Sequence, residues 1–164
     1  MRTICVVTAT RAEYGLLRPV VQKLAASSTL QLQLVATGAH LCPRLGETVR
    51  EIEADGVPIA ARLPIFVGDE NEPVAVTIAR TITVFDAYFS AHRPDAVLLL
   101  GDRFEIFAAA TAAAARHIPI AHISGGDVTL GAADEYYRHC ITKMAAVHFP
   151  SCADSAARLV RMGE

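Results

Sequence analysis

The sequence lacks the features of several protein classes. Its 15 basic and 17 acidic residues leave a net charge of −2, without the clustered positive charge that non-specific nucleic-acid binding requires, so we expect no DNA or RNA partner. The N-terminus has neither the apolar segment nor the cleavage site of a signal peptide. The longest alanine-rich run is interrupted by Arg116, well short of a membrane span. We therefore expect a cytoplasmic protein that has no membrane partner.

Signatures of metals and redox cofactors are also missing. The four cysteines lie far apart and form no C-x-x-C pair, which in an unexported chain indicates reduced thiols. The six histidines include no H-E-x-x-H motif, so the sequence predicts no metal site. The first strand-like segment is not followed by G-x-G-x-x-G, which removes most support for a nicotinamide or flavin cofactor.

The 164 residues amount to about one domain, and a 52% apolar content is enough to build a core without disulfides. Strand-like and helical segments alternate from end to end, which predicts an α/β fold with a doubly wound parallel sheet. The predicted strands are residues 3–9, 30–37, 58–63, 95–100, 118–123 and 145–149. The predicted helices are residues 12–27, 45–55, 74–90, 103–116, 135–142 and 154–162.

Ligands of doubly wound sheets bind outside the carboxyl ends of the strands. Polar motifs follow four of the predicted strands at this point: 8–15 (TATRAEYG), 37–40 (TGAH), 101–103 (GDR) and 124–127 (SGGD). A further polar stretch, residues 68–72, is interpreted as a solvated loop or as a flap over the site.

Two of these motifs offer cations for a phosphate. Arg11 lies where the first predicted helix begins, and a guanidinium beside a helix N-terminus suits an anion; the alternative is a surface arginine paired with Glu13. Asp102 and Glu105 fit a helix capping box. In a functional interpretation, Asp102 is instead a carboxylate on the cleft floor, with Arg103 beside it to meet a phosphate.

A pair of glycines, 125 and 126, follows the fifth predicted strand and indicates positive φ or a close backbone approach, although a plain turn would also use glycine. The pair places Asp127 in the same cleft as Asp102. Asp134 opens a helix that also carries Arg138. The three aspartates would thus converge on one rim, where carboxylates close to arginines are suited to proton transfer.

Two histidines also fall near strand ends. His122 ends its predicted strand and His40 follows another. Each either lines the cleft or serves as a hydrogen-bonded structural residue.

The strand-end motifs resemble those of the hydrolysing UDP-N-acetylglucosamine 2-epimerases of sialic acid biosynthesis. They occur in family order and cover essentially the whole chain: 8–15, 37–40, 101–105 (GDRFE), 122–127 (HISGGD), 133–139 (ADEYYRH) and 141–144 (ITKM). The resemblance implies that residues 1–164 form the Rossmann-like N-terminal domain of a two-domain GT-B architecture. The second domain would lie outside this chain, with the active site between the two.

The resemblance also implies a reaction. UDP-GlcNAc and water would give N-acetylmannosamine and UDP without a metal or cofactor, through anti elimination to 2-acetamidoglucal followed by hydration. The carboxylate roles would fall to Asp102, Asp127 and Asp134. The residues matched to substrate contacts are Arg11, Arg103, Arg138 and His40. The expected partners are the nucleotide-sugar substrate and, in a full-length enzyme, further copies of the same subunit.

One departure from the family pattern leaves the substrate open. Many relatives have His-Gly-Gly-Glu where this chain has 124–127 (SGGD), so the acid is one methylene shorter. One alternative is a hydrolysing 2-epimerase of a related nucleotide sugar, either GDP-linked or a UDP-diacetamido sugar of a legionaminic-type pathway. Another is a nucleotide-sugar-binding module without catalysis.

Overall fold

The computed structural model describes residues 1–67, 72–130 and 133–164. Within these residues, six strands form one sheet in the order β3-β2-β1-β4-β5-β6, and each neighbouring pair is parallel. The strands are β1 (Arg2–Thr8), β2 (Leu30–Thr37), β3 (Ile59–Leu63), β4 (Ala96–Leu100), β5 (Ile120–Ile123) and β6 (Val147–Phe149). The predicted doubly wound α/β fold is confirmed.

Six α-helices connect and follow the strands within the same residues. They are α1 (Arg11–Ala25), α2 (Val49–Ala54), α3 (Val74–His92), α4 (Phe104–Ala115), α5 (Asp134–Met144) and α6 (Ala153–Met162). The largest difference from prediction is at α2, because residues Pro43–Leu45 form a short 3-10 turn instead. Gly46 ends that turn in the left-handed region, with φ 92°, so the α-helix begins only at Val49.

The sheet separates two apolar cores. Along β1 and β4 the buried side chains alternate: Val6 and Leu98 pack on the α1 and α2 side, whereas Val7 and Leu99 pack on the α3 and α4 side. These strands are continuous apolar runs because helices cover both of their faces. Both therefore present polar groups mainly where they end, at the edge of the sheet.

Helix α3 is long and apolar enough to cross a membrane by length and composition alone, and 28% of its most apolar window is buried. Its inner side contributes the fully buried Phe85 to the core. Its charged residues are paired: Arg80 with Glu72 at 2.6 Å, and Asp86 with Arg116 at 2.6 Å. Core helices of globular proteins pass the same length test, so length and composition do not establish a membrane span here.

The polar stretch predicted as a solvated loop or flap leads into α3. Residues 68–71 lie outside the described residues. Its last residue, Glu72, accepts hydrogen bonds from both Arg80 Nη atoms at 2.6 Å and from Thr77 Oγ1 at 2.8 Å. The hydrogen bonds from Arg80 and then Thr77 lower the pKa of Glu72 to about 2. The end of this stretch is therefore tied to the first turns of α3.

The glycine pair after β5 does make a close approach, as the sequence predicts. Gly126 has φ 80°, and a Cβ added to it would lie 2.5 Å from the carbonyl oxygen of Ser155 in α6. A Cβ on Gly125 would lie 3.0 Å from His122 Nδ1 and 3.1 Å from Thr142 Oγ1. The loop after β5 thus packs directly against the start of α6.

We expect Gly126→Ala to lower the free energy of unfolding by about 3 kcal/mol, because it combines backbone strain with a clash against Ser155. Gly56→Ala is the matched control: Gly56 also has positive φ, 69°, but its added Cβ would meet nothing within 4 Å in the described part of the chain. That variant should lose only about 1 kcal/mol. Urea unfolding measures both, and equal losses would contradict the close contact.

Candidate functional site

The candidate site lies where the chain changes direction within the sheet. From β1 the chain continues to β2 and β3 on one side, and from β4 it continues to β5 and β6 on the other. The connections that follow β1 and β4 therefore diverge and leave a crevice at the carboxyl ends of these strands. Arg11, Asp102 and Arg103 follow these two strands directly.

Arg138 joins the segments around this crevice. Its guanidinium donates to the carboxylate of Asp102, to the backbone oxygen of Asp127 at 2.8 Å, to Glu135 Oε2 at 2.7 Å and to Thr129 Oγ1 at 2.7 Å. Only 5% of its side chain is exposed. As placed, Arg138 is occupied by protein acceptors, so its contacts within the described residues are structural, and the expected substrate contact stays a prediction.

Asp127 lies beside this network and also contacts α6. Its Oδ1 accepts hydrogen bonds from the hydroxyls of Ser151 and Ser155, both at 2.5 Å. The side chain stays partly exposed. Two hydroxyl groups therefore hold the carboxylate of Asp127, while the residue keeps partial contact with solvent.

The predicted capping box of Asp102 and Glu105 is wrong. No side chain caps α4 within the described residues; Asp102 pairs with Arg138, and Glu105 binds Arg103 instead, with Nε–Oε2 3.2 Å and Nη2–Oε1 2.9 Å. The side chain of Arg103 is 43% exposed. The negative charge of Asp134, at the start of α5, is one of the charges that raise the pKa of Arg103. The three predicted acids thus lie on the same edge of the sheet as Arg103.

Glu13 is a member of this region that the sequence-based reasoning did not select. It forms the capping box of α1 with Thr10, and its Oε2 accepts from the backbone N–H of Ala9 at 2.7 Å. Burial, with a smaller contribution from the charge of Glu105, raises the pKa of Glu13 to about 7, against the lowering effects of the Ala9 backbone N–H and of Arg103. The T-x-x-E spacing of residues 10–13 was the available signal, since it is the pattern of a capping box.

Arg11 lies at the first position of α1 and is 73% exposed. Its Nε is 3.3 Å from Glu51 Oε1 in α2. The alternative pairing with Glu13 is wrong, because the Glu13 carboxylate turns inward to cap the helix. An exposed ion pair of this kind is weak, so the expected phosphate contact of Arg11 stays a prediction.

Both candidate histidines are fully buried. The ring nitrogens of His40 lie 3.0 Å from Thr8 Oγ1 and 2.8 Å from Thr48 Oγ1, and His122 Nε2 donates to the Gly101 oxygen at 2.8 Å. Burial lowers the pKa of both rings. The structural alternative for these residues is supported, and His40 offers no free nitrogen to the crevice.

Residues 1–67, 72–130 and 133–164 contain no group of three or more His, Cys, Asp or Glu side chains arranged to hold a metal ion. The cysteines in the same ranges are free thiols. The charged side chains described at the crevice are carboxylates and guanidinium groups.

A family model described as UDP-N-acetylglucosamine 2-epimerase matches residues 22–164. The chain belongs to this family. The family match therefore confirms the family indicated by the sequence motifs. It does not identify the pathway.

Curated epimerases of several bacteria are similar to this chain. It is 41% identical over 165 residues to the UDP-N,N'-diacetylbacillosamine 2-epimerase (hydrolyzing) of Legionella pneumophila, covering 100% of this chain and 44% of that protein. It is 39% identical over 164 residues to the GDP/UDP-N,N'-diacetylbacillosamine 2-epimerase (hydrolyzing) of Campylobacter jejuni, covering 99% and 42%. It is 30% identical over 164 residues to the UDP-N-acetylglucosamine 2-epimerase of Neisseria meningitidis, covering 100% and 43%. The chain spans less than half the length of these relatives.

Solved structures agree on the fold. The UDP-GlcNAc 2-epimerase from Neisseria meningitidis bound to UDP-GlcNAc has a TM-score of 0.86 at 23% identity, covering 100% of this chain and 43% of that one. MurG from Acinetobacter baumannii has a TM-score of 0.70 at 16% identity, covering 94% and 43%. The epimerase-family domain thus shares its doubly wound architecture with enzymes of the GT-B class.

We expect Arg138→Ala to lower the free energy of unfolding by about 3 kcal/mol, because it leaves the carboxylates of Asp102 and Glu135 without their buried cation. Arg50→Ala is the control, since Arg50 pairs with Glu47 on the surface and is 79% exposed; it should lose less than about 1 kcal/mol. Chemical unfolding tests both variants. Similar small losses would contradict the structural task of Arg138.

The raised pKa of Glu13 predicts a pH-dependent stability difference between the wild type and Glu13→Gln. Between its ordinary value of 4.5 and about 7, the native state keeps a proton that the unfolded state releases, so rising pH favours unfolding. We expect the wild type to lose up to about 3 kcal/mol relative to Glu13→Gln across this range. Unfolding measured at several pH values checks this, and a constant difference would contradict it.

Proposed function

We propose that the protein acts as a hydrolysing 2-epimerase of nucleotide-diphospho-2-acetamido sugars, with UDP- or GDP-linked N,N'-diacetylbacillosamine as the substrate. The observation that carries the proposal is the crevice itself, where Asp102, Asp127 and Asp134 share one edge of the sheet with the exposed Arg103. The substrate is supported by the 39% and 41% identity to epimerases named for it.

The reaction divides into elimination and addition. A carboxylate removes the weakly acidic proton from C2, and the nucleoside diphosphate leaves C1 with the electrons of the C1–O bond, giving a 2-acetamidoglycal. Water then adds at C1, and a proton returns to C2 on the opposite face. The products are the 2-epimeric free sugar and the nucleoside diphosphate, and no external oxidant or reductant is needed.

The side chains of the candidate site have different roles in this scheme. Asp102, Asp127 and Asp134 supply the base and acid, while Arg103 and Arg11 stabilise the negative charge that develops on the leaving diphosphate. Arg138 holds the acids in place, and His40 supports the loop after β2. A fixed carboxylate is an effective base because it pays no reorganisation cost when the proton moves.

UDP-GlcNAc is a second candidate substrate, which would give N-acetylmannosamine for sialic acid biosynthesis. It is supported by 30% identity to the Neisseria meningitidis UDP-N-acetylglucosamine 2-epimerase and 37% identity to the polysialic acid biosynthesis protein P7 of Escherichia coli. The full-length protein should be incubated with each nucleotide sugar while nucleotide release is followed. Release from UDP-GlcNAc alone would favour this candidate, and binding without release would favour a non-catalytic module.

We further propose that residues 1–164 supply one domain of a GT-B enzyme and that a second domain completes the site. The chain matches only 42–44% of the length of its curated relatives. We expect these 164 residues alone to release no nucleotide from any of the sugars. The full-length enzyme is proposed to act in the cytoplasm as a homo-oligomer, without a cofactor and without a nucleic-acid or membrane partner.

Asp127→Asn tests the proton-transfer role in the full-length protein. An amide of nearly the same shape can still bind substrate but cannot accept the C2 proton, so we expect binding to persist and solvent deuterium at C2 of the product to be lost. Asp154→Asn is the control, because Asp154 lies exposed in the first turn of α6. Wild-type deuterium incorporation in Asp127→Asn would remove Asp127 from this step.

A further inference from the structure

Glu13 is a buried carboxyl group with only one of its oxygens satisfied. Its Oε2 accepts from the backbone N–H groups of Ala9 at 2.7 Å and Thr10 at 3.2 Å, which ties the end of β1 to the start of α1. Its Oε1 is buried and has no hydrogen-bond partner among the described residues. Such an oxygen is costly for an ionised carboxylate and is relieved when the group is protonated.

Arg103, the cation next to Glu13 Oε1, is already hydrogen-bonded to another carboxylate. Arg103 Nε lies 3.9 Å from Glu13 Oε1, beyond hydrogen-bond distance. The same guanidinium donates two hydrogen bonds to Glu105, whose side chain is fully buried. Two carboxyl groups thus share one arginine, and the cluster has a net charge of −1 if both are ionised and zero if Glu13 keeps its proton.

In the described part of the chain, two charged groups act on Glu13 directly: Arg103, which follows β4, and Glu105, in the first turn of α4. Asp134 at the start of α5 acts in turn on Arg103. The one cation acting directly on Glu13 among the described residues is therefore the exposed Arg103.

We propose that Glu13 is a positioning residue that takes up a proton when the diphosphate of a nucleotide sugar binds Arg103, so that ligand affinity depends on pH. The proposal rests on the proposed function. A diphosphate brings further negative charge to the guanidinium that offsets the charge of Glu13, which favours the neutral carboxyl. Protonation also converts the oxygen without a partner into an O–H donor.

The coupling has a defined direction. Below the pH at which Glu13 ionises, the carboxyl is already protonated and binding takes up no proton there. Above that pH, the fraction of protein with Glu13 protonated falls with each unit of pH. Because this is the form that binds the ligand, affinity falls by up to about tenfold per unit. With burial raising the pKa of Glu13 to about 7, the change falls in the neutral range.

Calorimetry of UDP binding to the full-length protein tests this inference. Titrations in buffers of different ionisation enthalpy, from about pH 6 to about pH 8.5, give the number of protons taken up. The terminal phosphate of UDP titrates near the same range, so the difference between the wild type and Glu13→Gln carries the test. We expect the wild type to take up as much as about one proton more.

Matched variants separate the possible results. Glu53→Gln is the control, because Glu53 pairs with Arg62 on the surface, with both side chains about half exposed, and should behave as the wild type. Glu13→Asp keeps a titrating carboxyl and should retain part of the proton uptake. Equal uptake in the wild type and Glu13→Gln would overturn the inference alone, whereas no UDP binding at any pH would contradict the proposed function itself.

A second measurement needs no variant, in case Glu13→Gln does not fold. The diphosphate diester of a nucleotide sugar has no proton that titrates near neutrality, so its KM in the wild type reports the protein group. KM should be flat below about pH 7 and rise by up to about tenfold per unit above it, with a smaller change in kcat. A KM that does not change with pH would overturn the inference.

Discussion

The guanidinium of Arg138 is the group on which the organisation of the site depends. It is almost completely buried, and a buried cation is tolerated only when charges and hydrogen-bond acceptors surround it. Its acceptors come from the segment after β4, the segment after β5 and α5 itself. These segments have to come together for the chain to bury Arg138, so assembly of the site is coupled to folding of the β4–β6 half of the sheet.

The other arginines of the candidate site differ from Arg138 in exposure. The side chain of Arg11 is 73% exposed and that of Arg103, which also binds the buried Glu105, is 43% exposed, whereas only 5% of the Arg138 side chain is exposed. Exposure therefore distinguishes the two arginines that we propose to bind the diphosphate from the arginine that joins the surrounding segments. The proposed chemistry uses both, since acids that transfer protons have to be fixed while cations that hold a diphosphate have to be accessible.

The sheet and the position of the site could be predicted from the sequence because both follow from apolar periodicity. Buried strands and amphipathic helices alternate visibly, and the close approach at Gly126 could be predicted from the glycine pair. The partners of the charged groups could not be predicted. Asp102 and Glu105 have capping-box spacing, yet each pairs with an arginine instead, and Glu13 meets the β4–α4 connection only because β1 and β4 are neighbours. Such pairings depend on strand order, which local sequence does not contain.

The contact between Gly126 and Ser155 has a consequence for how the proposed activity could diversify. It places α6 against the loop of Asp127, and the hydroxyls of Ser151 and Ser155 bind that carboxylate. A substitution in α6 could therefore tilt the acid by a fraction of an ångström without touching a bound sugar. Mutant libraries that aim at new amino-sugar substrates should therefore include positions in α6 as well as positions at the crevice.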